Sequence, residues 1–168
     1  MRDLSLRLLN VIVNGLEFDP SPKEVAPYLD QGALAWAATR GAAVAGDYDL
    51  VVCCAHDVEM PVLPRGVAHY HMKLKDEPEI TEAEFAKVCK AAHLVHLARR
   101  RGKRVLVACA MGLNRSGLVT GVSLRLAGLT GHQAVHAIRS ARGKNALSNP
   151  LYAKIVEEFE PARTWAAR

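Results

Sequence analysis

Aromatic side chains are scarce in this sequence, at 5% of 168 residues, which excludes a core built on stacked rings and leaves packing to aliphatic groups. Cysteine is sparse too. Cys53, Cys54, Cys89 and Cys109 are too few for a disulfide framework in a chain of this length, and adjacent Cys53 and Cys54 would form a strained bridge. A reducing, cytoplasmic setting is the simple reading. No apolar run approaches the ~20 residues needed to span a bilayer, and Met1-Arg2-Asp3 lacks the shape of a signal peptide with a cleavage site. Repeats, low-complexity tracts and linker-like stretches are absent, so residues 1–168 are expected to form a single domain.

What is present suits a packed globule. Half the residues are hydrophobic and 23% are charged, too apolar a balance for a disordered chain. The 26 alanines favour closely packed helices. A net charge of +5 points to an anionic partner, whether nucleic acid, phospholipid or a phosphorylated small molecule.

The first half of the chain carries the weaker pattern. Residues 4–13 predict a strand. Asp19-Pro20-Ser21-Pro22 breaks the chain, and the segments 24–28 and 33–43 predict helices, with Gly41 an interruption. From Leu50 the signals sharpen. Leu50-Val51-Val52-Cys53-Cys54 reads as a strand buried on both faces. Residues 56–66, with Pro61 and Pro64, read as a loop, and 67–74 as a second strand stopping at Lys75-Asp76-Glu77-Pro78.

Thr81 with Glu84 forms a capping box that opens a helix ending near Gly102. Arg104-Val105-Leu106-Val107-Ala108 is a third strand. Residues 116–126 are apolar on nearly every side, the mark of a central buried helix. Thr130 with Gln133 makes a second capping box for a helix ending at Gly143. Asn149-Pro150 caps a last helix with an apolar stripe of Leu151, Tyr152, Ile155, Val156 and Phe159.

This order is α/β, with a mainly parallel central sheet flanked by helices. Crossovers between parallel strands bring strand ends to one edge of the sheet, where such proteins bind ligands. Asp76 and Cys109 are therefore expected as neighbours.

The segment Cys109-Ala110-Met111-Gly112-Leu113-Asn114-Arg115-Ser116-Gly117 runs from a buried strand into a helix. Such a loop turns successive backbone N–H groups inward, making an anion nest at a helix N-terminus. Gly112 permits backbone conformations that a side chain would forbid, and Arg115 offers a planar fork for phosphate oxygens. The helix terminus and the guanidinium both favour the thiolate of Cys109, a nucleophile aimed at phosphorus. The bland alternative is a buried cysteine that merely precedes a helix.

Cys109 through Arg115 resembles the Cys-x5-Arg signature of the protein tyrosine phosphatase superfamily. The Ser116-Gly117 ending, near two-thirds of a short chain, is similar to the dual-specificity phosphatases. Weaker similarity extends from about Leu50 to Phe159, including the stretch from Arg139 to Arg142 followed by Asn149. The low-molecular-weight phosphatases fit less well, because their signature opens the chain.

The resemblance implies the cysteine-phosphatase fold and a two-step reaction. Cys109 attacks the phosphoryl group to give a phosphocysteine while Asp76 protonates the leaving oxygen, and water then hydrolyses the intermediate with Asp76 as base. Arg115 and the loop at Ala110, Met111, Gly112, Leu113 and Asn114 hold the phosphoryl oxygens, and Ser116 eases departure of the thiolate. No metal or other cofactor is implied. The implied partner is a phosphorylated protein carrying phosphotyrosine, and also phosphoserine or phosphothreonine, with phosphate or sulfate able to occupy the same site.

One departure stands out. The family usually has histidine before the nucleophile, where it helps fix the loop and tune the thiolate, and here that residue is Ala108. The alternatives are a weak or inactive pseudophosphatase that binds phosphorylated partners, and a phosphatase acting on phosphoinositide or RNA phosphate. A rhodanese-like sulfurtransferase also cradles an active cysteine but has no use for an acid at Asp76. Some relatives use a cysteine at the Cys54 position as a redox partner for the nucleophile; otherwise Cys54 is a small buried hydrophobe.

Glu77 and Glu79 are the fallback acids. His132 with His136, and His93 with His96, have helical spacing but lack completing ligands nearby in sequence, so they read as surface or packing groups. His69 and His71 should share one face of their strand. Arg99-Arg100-Arg101-Gly102-Lys103-Arg104 is either a solvated helix end or a docking patch for RNA or phosphoinositide, without interleaved aromatics for base stacking.

Overall fold

The computed structural model describes residues 19–34 and 47–161. The strand expected at 4–13 and all but the first two residues of the helix expected at 33–43 lie outside them. The strands are β1 (Lys23–Ala26), β2 (Leu29–Ala33), β3 (Leu50–Ala55), β4 (Ala68–Leu74) and β5 (Val105–Cys109), and they form one sheet in the order β1-β2-β5-β3-β4. β1 and β2 are antiparallel, and every other pairing is parallel. The α/β reading with a mainly parallel sheet therefore holds.

Residues 24–28 correct the expected helix. They form part of β1 and the turn into β2. Pro27 has no amide hydrogen for a helix interior, and Tyr28 takes φ +64°, the left-handed conformation that reverses the chain. Ala33, expected within a helix, ends β2 instead. β2 is zipped to β5 from Leu29 opposite Val105 to Ala33 opposite Cys109, a pairing between segments 76 positions apart that compensates for weak local strand propensity.

The helices are α1 (Glu82–Arg100), α2 (Arg115–Leu126), α3 (Gly131–Arg142) and α4 (Pro150–Glu158). Both capping boxes form as expected: Thr81 with Glu84 opens α1, and Thr130 with Gln133 opens α3. Asn149 caps α4 by accepting the Leu151 amide at 3.1 Å. α2 is the central helix, buried from Arg115 to Leu124. Leu106, Leu118, Leu124, Ile138 and Leu147 are among the fully buried side chains that join sheet to helices, so the core is aliphatic. Among the described residues no helix is long and apolar enough to cross a membrane.

Three side chains of the basic run serve the fold. Arg99 donates to the Pro27 carbonyl at 3.1 Å, and Lys103 pairs with Asp49 at 3.0 Å. Arg104 pairs with Asp30 at 3.4 Å and lies over the Tyr48 ring. These contacts fasten the ends of β2, β3 and β5 opposite the edge that carries Cys109.

Candidate active site

β5 is the middle strand of the sheet, and its last residue is Cys109. The chain then turns through Ala110, Met111, Gly112, Leu113 and Asn114 into α2, which begins at Arg115. The Gly112 amide donates to Cys109 Sγ at 3.2 Å, and Ser116 Oγ lies 3.3 Å from the same sulfur. An amide and a hydroxyl thus converge on it, both able to donate to a thiolate. Gly112 has φ +68°. A Cβ there would come within 2.3 Å of the Gly32 carbonyl carbon, so the loop is pressed directly onto β2. Gln31, fully buried on β2, donates from Nε2 to the Gly112 carbonyl at 3.0 Å.

Arg115 is almost wholly enclosed, its side chain 7% exposed. Its Nη1 donates to the Asp57 carboxylate and, at 3.3 Å, to the Leu74 carbonyl. Its Nε is buried without a hydrogen-bond partner among the described residues. A buried orphan donor on a cation is costly, and an anion oxygen would satisfy it. Burial opposes the charge of Arg115, yet its bond to Asp57 and the nearby Cys109 raise its pKa above the usual arginine value. Reciprocally, the bond from Arg115 holds the Asp57 carboxyl below the usual carboxylate range.

Asp76 follows β4 and reaches the loop, as the common strand edge predicts. Its Oδ2 accepts from Asn114 Nδ2 at 3.1 Å and its Oδ1 from Asn149 Nδ2 at 3.0 Å. Asn149 Nδ2 also donates to the Glu77 carbonyl at 2.9 Å, and the Tyr152 hydroxyl donates to the Lys75 carbonyl at 2.6 Å. The Asn149 amide and Ser148 hydroxyl in turn donate to Asn114 Oδ1. Asp76 is exposed but clamped, both oxygens held by carboxamides from the loop and the α4 cap.

Cys54 is fully buried on β3, one residue beyond the pairing of Cys53 with Ala108. Burial, reinforced by the neighbouring Cys109, pushes its thiol well up. Burial also pushes Cys53 up to about 11. His71 Nε2 bonds the Ala55 carbonyl at the end of β3 at 2.6 Å. His132 and His136 stack at 6.4 Å between centroids, and no group of three or more metal-ligating side chains gathers among the described residues.

Four contributors escape sequence reasoning: Asp57, Gln31, Arg142 and the side chain of Asn114. Arg142 and Asn149 stand out in the sequence only as part of a family-like stretch or a helix cap. Asp57 and Gln31 carry no local signal, since each acts across long sequence separations.

No family model matches the sequence, nor does any curated protein. Solved structures do match. Human DUSP28 superposes with a TM-score of 0.67 at 26% identity, over 83% of this chain and 95% of that one. Tk-PTP in its active form gives 0.66 at 26% identity over 84% and 99%. DUSP15 gives 0.71 at 19% identity over 88% and 92%, a likeness of fold alone. The loop from Cys109 to Arg115 between the middle strand and the central helix, taken with these likenesses, gives the chain the dual-specificity-like fold of the protein tyrosine phosphatase superfamily.

Proposed function

We propose that the protein is a cysteine-dependent phosphatase that hydrolyses phosphate monoesters, with phosphotyrosine, phosphoserine and phosphothreonine of proteins as the substrate class. The observation that carries this reading is the pairing of two unfinished groups: a cysteine sulfur that collects an amide and a hydroxyl, and the buried unpartnered Nε of Arg115. A phosphoryl group seated between them meets a nucleophile on one side and a forked donor on the other. The metaphosphate-like transition state spreads charge over three oxygens, which the loop amides and Arg115 hold.

In the first step Cys109 Sγ bonds to phosphorus as the ester P–O bond breaks, and Asp76 delivers its proton to the departing oxygen. In the second, Asp76 takes a proton from water as the water oxygen bonds to phosphorus and the P–S bond breaks. Ser116 receives the returning sulfur charge with its hydroxyl. Asp57 and the Leu74 carbonyl hold Arg115 by one nitrogen, which leaves its other donors for the substrate.

A second reading, binding of phosphorylated partners with little turnover, is favoured by the clamp on Asp76, whose two carboxylate oxygens are already engaged by Asn114 and Asn149. Hydrolysis of p-nitrophenyl phosphate between about pH 5 and 8 separates the two. Turnover that vanishes in Cys109→Ser supports the phosphatase. Tungstate binding by wild-type protein that releases no phosphate supports the binder.

A further inference from the structure

A loop that turns its amide hydrogens inward must turn its carbonyl oxygens outward, and buried carbonyls need donors of their own. Here every carbonyl from Met111 to Asn114 has one. Asn114 is answered by the Leu118 amide within α2 and Leu113 by the Leu147 amide at 3.3 Å. Gly112 receives two donors, Gln31 Nε2 at 3.0 Å and Arg142 Nε at 3.2 Å. Met111 receives Arg142 Nη2 at 3.4 Å.

The same guanidinium reaches further. Its Nη1 donates to the Ser21 carbonyl at 2.5 Å and its Nη2 to the Asp19 carbonyl at 3.1 Å. One side chain at the end of α3 thus joins the loop to the segment ahead of β1, and the Pro20 carbonyl in that segment accepts the Ala33 amide at the end of β2. With four carbonyls clasped, Arg142 faces the back of the loop and not the substrate side. Ala108, the residue before the nucleophile, is fully buried and has no side-chain donor to share the task.

We propose that Arg142, supported by Gln31, is a positioning residue that keeps the loop's amides directed at the anion by holding its carbonyls from behind. This rests on the phosphatase reading above. Burial holds the Arg142 guanidinium below the usual arginine value, against the opposing pull of Asp19 and Cys109, so its positive charge lies behind the loop within electrostatic reach of that sulfur. A planar fork suits the arrangement, because four acceptors in different directions cannot be met by the point donor of lysine.

Gln31 supplies the sharper discrimination. Its Nε2 is bonded, but its Oε1 is buried with no partner among the described residues. Gln31→Met removes a hydrogen bond and an orphan acceptor together, a change that is nearly neutral for stability. A purely structural glutamine would show up in the melting temperature. A positioning one shows up in anion binding instead.

The test measures tungstate affinity by calorimetry and the pH profile of iodoacetate alkylation at Cys109, for wild type, Gln31→Met, Arg142→Lys and Arg142→Gln. Gln31→Met is expected to keep its melting temperature and bind tungstate about 3- to 10-fold more weakly. Arg142→Gln is expected to lose roughly 10- to 100-fold and to shift the alkylation profile to higher pH. Arg142→Lys should restore the profile, which follows charge, but not the affinity, which follows the fork.

If wild type binds tungstate and alkylates readily while all three variants match it within about twofold, the positioning role is wrong and the phosphatase reading stands. If wild type itself neither binds nor reacts, the phosphatase reading fails. Should Arg142→Gln not fold, the other two variants decide on the same readouts.

Discussion

Replacing Gly112 by alanine tests how tightly the loop from Cys109 to Arg115 is seated, and Gly102 provides a matched control. The two glycines have almost the same backbone, φ +68° and +70°. Around Gly102 no described residue lies within 4 Å of an added Cβ, whereas at Gly112 that atom would meet Gly32 C at 2.3 Å, Gly32 O at 2.5 Å and Ala33 N at 2.7 Å. Left-handed strain on an alanine costs about 1–2 kcal/mol at either site, offset by about 0.4–1 kcal/mol from the stiffer unfolded chain. Gly102→Ala should therefore cost roughly 1 kcal/mol, or about 2–4 °C in a domain of this size.

Gly112→Ala adds a clash with backbone of β2, which is pinned to β5 and cannot retreat, and overpacking of this kind costs about 1–3 kcal/mol more. The expected total is about 2–4 kcal/mol, a fall of roughly 4–16 °C. The loop must yield, carrying the Gly112 amide away from Cys109 Sγ, and a displacement of ~1 Å is enough to lower kcat/KM by about 100-fold. Thermal denaturation and p-nitrophenyl phosphate kinetics on both variants provide the comparison. Equal melting temperatures for the two, with Gly112→Ala retaining wild-type kcat/KM, would refute the contact between loop and β2.

Three further outcomes are expected. Asp76→Asn should lose about 100-fold or more on substrates with poor leaving groups and far less on p-nitrophenyl phosphate; a uniform deficit would remove Asp76 from proton transfer. Hydrogen peroxide should convert the Cys109 thiolate to a sulfenic acid, which the Cys54 thiol closes to a disulfide with loss of water. Activity should then return with dithiothreitol in wild type but not in Cys54→Ser, and equal recovery in both would dismiss Cys54 as the partner. Asp57 has its folded pKa depressed by Arg115, so its stabilisation is present above the ordinary carboxylate pKa of about 3.9 and is lost as pH falls through the lower folded value. The melting-temperature gap between wild type and Asp57→Asn should be widest at neutral pH and close in acid, and a gap that widens in acid would contradict the ion pair.

The parts of the fold that were legible in the sequence are those that local chemistry specifies. Capping boxes at Thr81 and Thr130, the Asn149-Pro150 helix start and the β-branched runs of β3 and β5 each declare themselves within a few residues. The loop from Cys109 to Arg115 declares itself in the same way, and the parallel-sheet rule carried Asp76 to it. Residues 24–33 did not declare themselves. Leu29-Asp30-Gln31-Gly32-Ala33 is a poor strand by propensity and becomes one through its pairing with β5. Polar Gln31 is buried there because it serves the Gly112 carbonyl, a partner 81 positions away. Asp57 and Arg142 were hidden for the same reason, since their roles arise only when distant segments meet.

In the proposed reaction Cys109 carries the phosphoryl group between the two steps. Acid quenching during turnover of a phosphotyrosyl peptide labelled with radioactive phosphorus, followed by peptide mapping, tests it directly. Label is expected on the peptide that contains Cys109, and none in Cys109→Ser. Label on another residue, or undiminished turnover by Cys109→Ser, would contradict it.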